Sequence, residues 1–288
     1  MFTEGMAFGS AFLSSVSSVV ITPVAKEGMA LRLLVVRSGF AALFISSALL
    51  LVPAKTAFGN VTALGVGAIL LVSGPVFGLA ALVYYRGIQS LGLAKAYPVV
   101  NVFPLFSTLL AVLLLGERPH WLAVAGTVVI LAGVWLVSST TEGSRPQSTL
   151  STKASAYKWI GLMIGTAVLF AVSTTANKVA LDTGLSPLLV NLGRMVCAGS
   201  MGVVASLARR RGLGFRTLPR LSWGRVAISS FISDLVGHYL YFTAMQLGEV
   251  GSVVPLAATS PLFVIPMARV FLKEVITWPV VVGTFLTV

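Results

Sequence analysis

The sequence predicts an all-α membrane protein of ten transmembrane helices, built as two inverted five-helix repeats. Three observations carry that prediction. The 288 residues are 57% hydrophobic and only 10% charged, with a mean hydropathy of +0.97, a balance that a water-soluble domain has too little interior to hide and that lipid accepts on every side. The apolar residues fall into ten runs of helical length. The second half of the chain repeats rare residue types of the first at a constant offset of 157 positions.

A helix rising about 1.5 Å per residue needs about 20 residues to cross about 30 Å of hydrocarbon. On that ruler the segments are 5–24, 30–52, 62–88, 93–115, 120–138, 158–180, 186–208, 224–247, 250–272 and 277–288. All are read as helices, because a strand alone in lipid leaves its backbone unpaired. The first segment has no Lys or Arg before it and so lacks the charged start of a secretory signal; it is expected to be retained. The longest polar run, Ser138 to Ser155, falls near the middle and divides the chain into 1–140, a linker at 141–157, and 158–288. The tenth segment is about half a span long, which reads as a C-terminal truncation or an unusually short last helix.

At the offset of 157, Arg37 meets Arg194, Tyr84 meets Tyr241, Gln89 meets Gln246 and Pro98 meets Pro255. Further on, Pro104 falls on Pro261, Leu105 and Phe106 on Leu262 and Phe263, Glu117 on Glu274, Trp121 on Trp278 and Gly126 on Gly283. Chance pairs Leu with Val; it seldom aligns two prolines, a glutamate and a tryptophan in order. Five helices is an odd number, so the second copy enters the membrane from the opposite side. Two similar bundles of opposite orientation suit alternating access around a midplane site.

The order Y, PVVNVFPLF, LLLGE, W and G, repeated as Y, VPLAATSPLF, FLKE, W and G, resembles the EamA group of the drug/metabolite transporter superfamily. The resemblance covers nearly the whole chain. It implies a ten-helix carrier of small metabolites, amino acids among them, whose helices 1, 3, 4, 6, 8 and 9 line a central cavity with 2 and 7 at its flanks. The second copy departs from the pattern in having Lys273 where the first has Gly116.

The 20 basic against 8 acidic residues give a net charge of +12, but their positions point to lipid topology. Arg209, Arg210, Arg211, Arg216, Arg220 and Arg225 crowd one stretch without Asp or Glu between two apolar runs, as a cytoplasmic loop does. Lys26, Arg86, Lys95, Arg145, Lys153, Lys158 and Lys273 fall on the same face, against Lys55 and Arg118 on the other. The positive-inside rule then leaves both termini outside, in the cell (inner) membrane. Nucleic acid is not an expected partner. One cysteine, Cys197, excludes an internal disulfide, no Cys/His spacing resembles a zinc site, and no Gly-rich loop followed by Lys and Ser/Thr supports ATP hydrolysis. No cofactor and no metal are expected.

Candidate site residues are the polar groups inside apolar runs, since each is expensive in lipid unless paired or wetted. Asp234, His238 and Tyr241 stand at i, i+4 and i+7, on one helical face. The Asp234–His238 pair is a candidate for proton coupling or substrate contact; the alternative is a polar clasp between helices or a carboxylate shallow enough to meet headgroups. Pro98, Pro104, Pro255, Pro261 and Pro266 free the backbone carbonyls near Ala94, Val100, Gly251 and Ala257. Asn101, Ser107, Thr108, Thr259 and Ser260 beside them are able to bind a polar solute, and simple curvature is the plainer role of the prolines. Arg37 and Arg194 either snorkel to an interface or turn inward, where an anionic group such as a carboxylate would pair with them. Asn177 and Lys178 face the same choice. Glu117 and Glu274 read as helix-end carboxylates, and Gly161 with Gly165 as a close helix contact. The substrate-binding set is thus Arg37, Tyr84, Asn101, Arg194, His238, Tyr241, Thr259 and Ser260.

The leading expectation is a secondary active transporter of small polar or amphipathic metabolites, with amino acid export implied by the resemblance and protons a candidate coupling ion. Its partners are a small-molecule substrate and the lipid bilayer. A lipid-carrier flippase of the same fold is the alternative. An intramembrane enzyme with Asp234 and His238 as acid and base lacks a nucleophile or metal-ligand set, and a scaffold would have no use for deep polar residues.

Overall fold

A computed structural model describes residues 2–26, 30–116, 153–208, 220–273 and 278–287. Among them the only regular secondary structure is helical. We number the helices α1 (Phe2–Lys26), α2 (Ala30–Leu51), α3 (Ala63–Leu91), α4 (93–115), α5 (Lys153–Asp182), α6 (Pro187–Ala208), α7 (220–247), α8 (Val250–Leu272) and α9 (Trp278–Thr287). Seven of these, α1 to α6 and α8, are long and apolar enough to cross a membrane. The expected eighth span, α7, is continuous helix but is less apolar, because it carries Arg220, Arg225, Asp234 and His238. The expected tenth is α9, ten residues long. The fifth segment, Glu117, Glu274 and most of the arginine-rich stretch lie outside the described residues. The helix α5 begins at Lys153, within the run read as linker.

The outside of the bundle is bare Leu, Val and Phe, with Leu50, Leu71, Leu114 and Phe271 all exposed, as a lipid-facing surface requires. The inside is small and hydroxylic, which lets backbones approach closely where lipid supplies no hydrophobic drive between helices. Gly202 of α6 meets Leu34 and Val35 of α2, and Gly199 meets Ser38. Further along the same pair, Met195 and Leu188 cluster with Ala41 and Ile45. These contacts run in opposite senses along the two chains, so α2 and α6 pack antiparallel. Gly161 and Gly165 are corrected: a Cβ at either would meet nothing, and they make no close helix contact.

α4 and α8 are each broken in the middle. Leu93–Val100 gives way at Asn101 and Val102 to Phe103–Leu110, and Val250–Ala257 gives way at Ala258 to Ser260 to Pro261–Leu272. The cause is legible in the chain: Pro104 cannot donate to Val100, nor Pro261 to Ala257, and each proline instead opens a new helical stretch. The two breaks fall at positions related by the offset of 157. The first half of α8 packs on the second half of α4, and the second half on the first, so this pair too is antiparallel.

The ends of the bundle are tied by loop contacts. Beyond α2, Gly59 bridges Leu185 beyond α5, with Asn60 N–H donating to the Gly184 carbonyl at 2.8 Å. The Gln246 amide donates to Leu185 at this same end, at 3.3 Å. Its sequence match Gln89 donates to the Ala25 carbonyl at 2.6 Å, at the other end of the 22-residue α2, about 33 Å away by helix rise. Gly116 and Lys273, the expected departure, both end their helices in the left-handed conformation (φ 72° and 53°).

Candidate functional site

A central, partly open cavity of about 210 Å³ lies between the helices. Every segment expected to contribute does so: α1, α3, α4, α5, α7 and α8 supply its walls. α2 and α6, expected at the flanks, each contribute a single side chain, Arg37 and Arg194.

Arg37 makes the strongest polar contact of the site. Its guanidinium forks onto the Asp234 carboxylate, Nε to Oδ2 at 2.8 Å and Nη2 to Oδ1 at 2.9 Å, the bidentate geometry that favours Arg over Lys. Nη1 donates to the Tyr85 hydroxyl at 3.2 Å. The carboxylate is 1% exposed. Asp234 is therefore a clasp between α2 and α7, and the placement among headgroups is excluded. Snorkelling is corrected for both arginines. Arg194 is 4% exposed, with Nη2 donating to Asn191 Oδ1 at 2.9 Å. Its guanidinium carbon stands 4.3 Å from the Phe77 ring centre and 4.9 Å from that of Phe242, within cation–π range of both rings. The Asn191 amide in turn donates to the Asp234 backbone carbonyl, joining the two arginine sites.

His238 and Asp234 stand within ion-pair distance but share no hydrogen bond. The imidazole Nδ1 lies 3.7 Å from Asp234 Oδ1, beyond a hydrogen bond, and 2.8 Å from the Ser233 carbonyl. A carbonyl only accepts, so Nδ1 carries the proton and the neutral ring keeps Nε2 as an acceptor. Residues 230–237 form a π-helical stretch, a local widening that recurs at functional sites. It carries Ser233 and Asp234, and with His238 and Tyr241 beyond it all four line the cavity.

Tyr84 and Tyr241, the matched pair, both line the cavity, and their buried hydroxyls have Ser18 and Thr174 as their nearest polar side chains, without a well-formed hydrogen bond. Asn101 and Ser260, at the breaks of α4 and α8, also line it, as do Val100 and Ala257, whose carbonyls the prolines free. Ser15 secures one break by donating to the Ser260 carbonyl at 2.9 Å. Thr259 is not among the lining residues, and its hydroxyl donates to the Leu256 carbonyl at 2.8 Å. Ser107 is buried outside the lining. Asn177 and Lys178 pair inward. Ser73 donates to Asn177 Oδ1 at 2.6 Å, and Lys178 Nζ caps α7 by donating to the Met245 and Gly248 carbonyls at 2.9 and 3.1 Å while bridging Asp182.

Sequence reasoning missed the serine stripe Ser10, Ser14 and Ser18 of α1, together with Tyr85, Tyr97, Ser173 and Thr174. The four-residue spacing of the serines was a usable signal, since it places them on one face. Among the described residues no group of three His, Cys, Asp or Glu is placed to hold a metal ion.

Comparison with known proteins agrees with this architecture. A crystal structure of a protein superposes with a TM-score of 0.66, covering 99% of this chain and 93% of that one at 16% identity, a likeness of fold. A probable 4-amino-4-deoxy-L-arabinose-phosphoundecaprenol flippase subunit, ArnF, of Serratia proteamaculans is 36% identical over 83 residues, 27% of this chain and 64% of that protein. A putative sugar uptake protein of Listeria innocua serovar 6a is 25% identical over 170 residues, 57% of this chain and 59% of that protein. The chain thus spans about three-fifths of the length of the curated relatives it matches. The EamA-like transporter family matches residues 1–139 and again 157–288. With that match over both halves, and apolar helices of spanning length around a polar cavity, the chain belongs to the EamA-like transporter family and is a multi-pass protein of the cell membrane.

Proposed function

We propose that the chain is a secondary active transporter of small polar or amphipathic metabolites, working by alternating access between two inverted five-helix repeats at 1–140 and 158–288. The observation that carries this reading is the central polar cavity walled by helices of both halves. The antiparallel packing of α2 on α6 and of α4 on α8, each pair matched at the offset of 157, supports the inversion. Repeats of opposite sense exchange the open side at little net energy. A volume of about 210 Å³ is below the ~300–1,000 Å³ that bury drug-sized ligands, which favours a solute of amino acid size, and amino acid export is the substrate class we assign. Arg37, Tyr84, Asn101, Arg194, His238, Tyr241 and Ser260 are its contacts. Protons are the coupling ion: His238 Nε2 takes up a proton from the cavity, and the imidazolium then competes with Arg37 for Asp234. The arginine-rich face is cytoplasmic and the termini lie outside.

The relative named as a flippase subunit favours a second reading, in which the cavity holds the headgroup of a lipid-linked substrate. Reconstitution separates the two. Purified protein in liposomes accelerates flux of labelled amino acids in the first case and of a lipid-linked sugar in the second. A panel of amino acids, sugars and nucleosides that all leak at the protein-free rate overturns the carrier reading.

A further inference from the structure

Resting on the carrier reading, we infer that Arg194 is the anchor for a carboxylate on the carried solute. The charges of the cavity lead to it. Arg37 and Asp234 neutralise one another in a bidentate pair. Among the described residues no carboxylate forms an ion pair with Arg194; Asp234, the one carboxylate of the lining, is held by Arg37 and acts on Arg194 only from farther off, so the lining keeps one formal positive charge in excess. A buried cation left in that state is expensive, and the expense has a use if a substrate supplies the anion.

The side chain is also held as a receptor is held. The guanidinium carbon lies over the rings of both Phe77 and Phe242 and Asn191 takes one N–H through Nη2. Nε is buried without a partner. What remains is a planar set of N–H donors with fixed orientation, the fork that matches a carboxylate. The residues Tyr84 and Tyr241, in the same lining with Ser18 and Thr174 as neighbours, add donors and acceptors for the rest of the solute. A single uncompensated charge balances a monoanionic head and not a phosphate dianion. An α-amino group is accommodated by hydroxyl and carbonyl acceptors but is not what the arginine selects.

The test is flux into liposomes holding the full chain, with matched probes: leucine, leucinamide, 4-methylpentanoate, lactate, lactamide and inorganic phosphate. Acids are expected to move at least about tenfold faster than their amides, the discrimination of one charge-assisted contact, and to outpace phosphate. Arg194→Gln is expected to abolish that preference and Arg194→Lys to restore part of it. Amides moving as fast as acids, phosphate moving in place of them, or Arg194→Gln carrying acids at the wild-type rate overturns the inference and leaves the carrier reading in place. No flux of any probe, together with none of sugars and nucleosides, overturns both. The acid-to-amide ratio is read on the wild-type chain, so it decides the matter even if the Gln variant does not fold.

Discussion

The Arg37–Asp234 clasp gives the sharpest prediction about what holds the two halves together. It consists of two charge-assisted hydrogen bonds of 2.8 and 2.9 Å, with side-chain exposures of 16% and 1%. Asp234→Ala strands a guanidinium whose nearest remaining partner is the Tyr85 hydroxyl at 3.2 Å, and Arg37→Ala strands a carboxylate deeper still. Removing one partner of a buried pair destabilises by about 3–5 kcal/mol, whereas replacing both by apolar groups of similar volume is close to neutral. Each kcal/mol lowers the melting temperature of a chain this large by about 2–4 °C, so each single variant should melt of the order of 10 °C lower. The double variant Arg37→Met with Asp234→Leu should recover most of that loss. The assay is thermal unfolding of detergent-purified protein followed by tryptophan fluorescence, read as a double-mutant cycle. Single variants within about 1 kcal/mol of wild type, or a double variant no better than the worse single, would refute a buried, mutually dependent pair.

Four further outcomes follow from the packing and the caps. Lys178→Met leaves the Met245 and Gly248 carbonyls unpaired and should cost about 1–3 kcal/mol in the same unfolding assay, with the preference among transported solutes unchanged. A Cβ at Gly202 would stand 2.7 Å from Val35 Cγ2, so Gly202→Ala forces α2 and α6 apart and should destabilise by about 1–3 kcal/mol. Lys273→Gly relieves a left-handed residue at φ 53° and should raise stability by about 1 kcal/mol, visible as a small increase in melting temperature. His238→Gln keeps a polar group but removes the ring nitrogen proposed to take up the coupled proton; uptake driven by a pH gradient should fall at least about tenfold while solute exchange at equal pH persists. Unchanged gradient-driven uptake would take His238 out of the coupling.

Much of the cavity was legible in the sequence because lipid makes each buried polar group conspicuous. Arg37, Asp234, His238, Arg194 and Asn101 stand out against apolar neighbours, and the structure puts all of them on one lining. The prolines marked the broken helices, since a missing donor acts locally. What the sequence concealed is of two kinds. Pairings across the bundle depend on tertiary geometry: Arg37 and Asp234 are 197 residues apart, and nothing in either segment names the other. Cheap residues leave no mark: Ser10, Ser14 and Ser18 line the cavity, yet a helical serine can satisfy itself on the preceding turn, as Ser18 does on the Ser14 carbonyl at 2.8 Å. Thr259 likewise donates to the preceding turn, at Leu256, and stands outside the lining residues. The π-helical stretch at 230–237 has no sequence signature of its own.

The claim on which the rest depends is that the two halves thread the membrane in contrary directions around the cavity. Ser90 and Leu247 occupy equivalent positions at the offset of 157, at the ends of α3 and α7. With Cys197→Ala as background, Ser90→Cys and Leu247→Cys are each exposed to a membrane-impermeant thiol reagent in sealed, oriented vesicles. Halves of contrary sense label at the two sites from opposite sides of the membrane; labelling of both from the same side means that the halves run the same way.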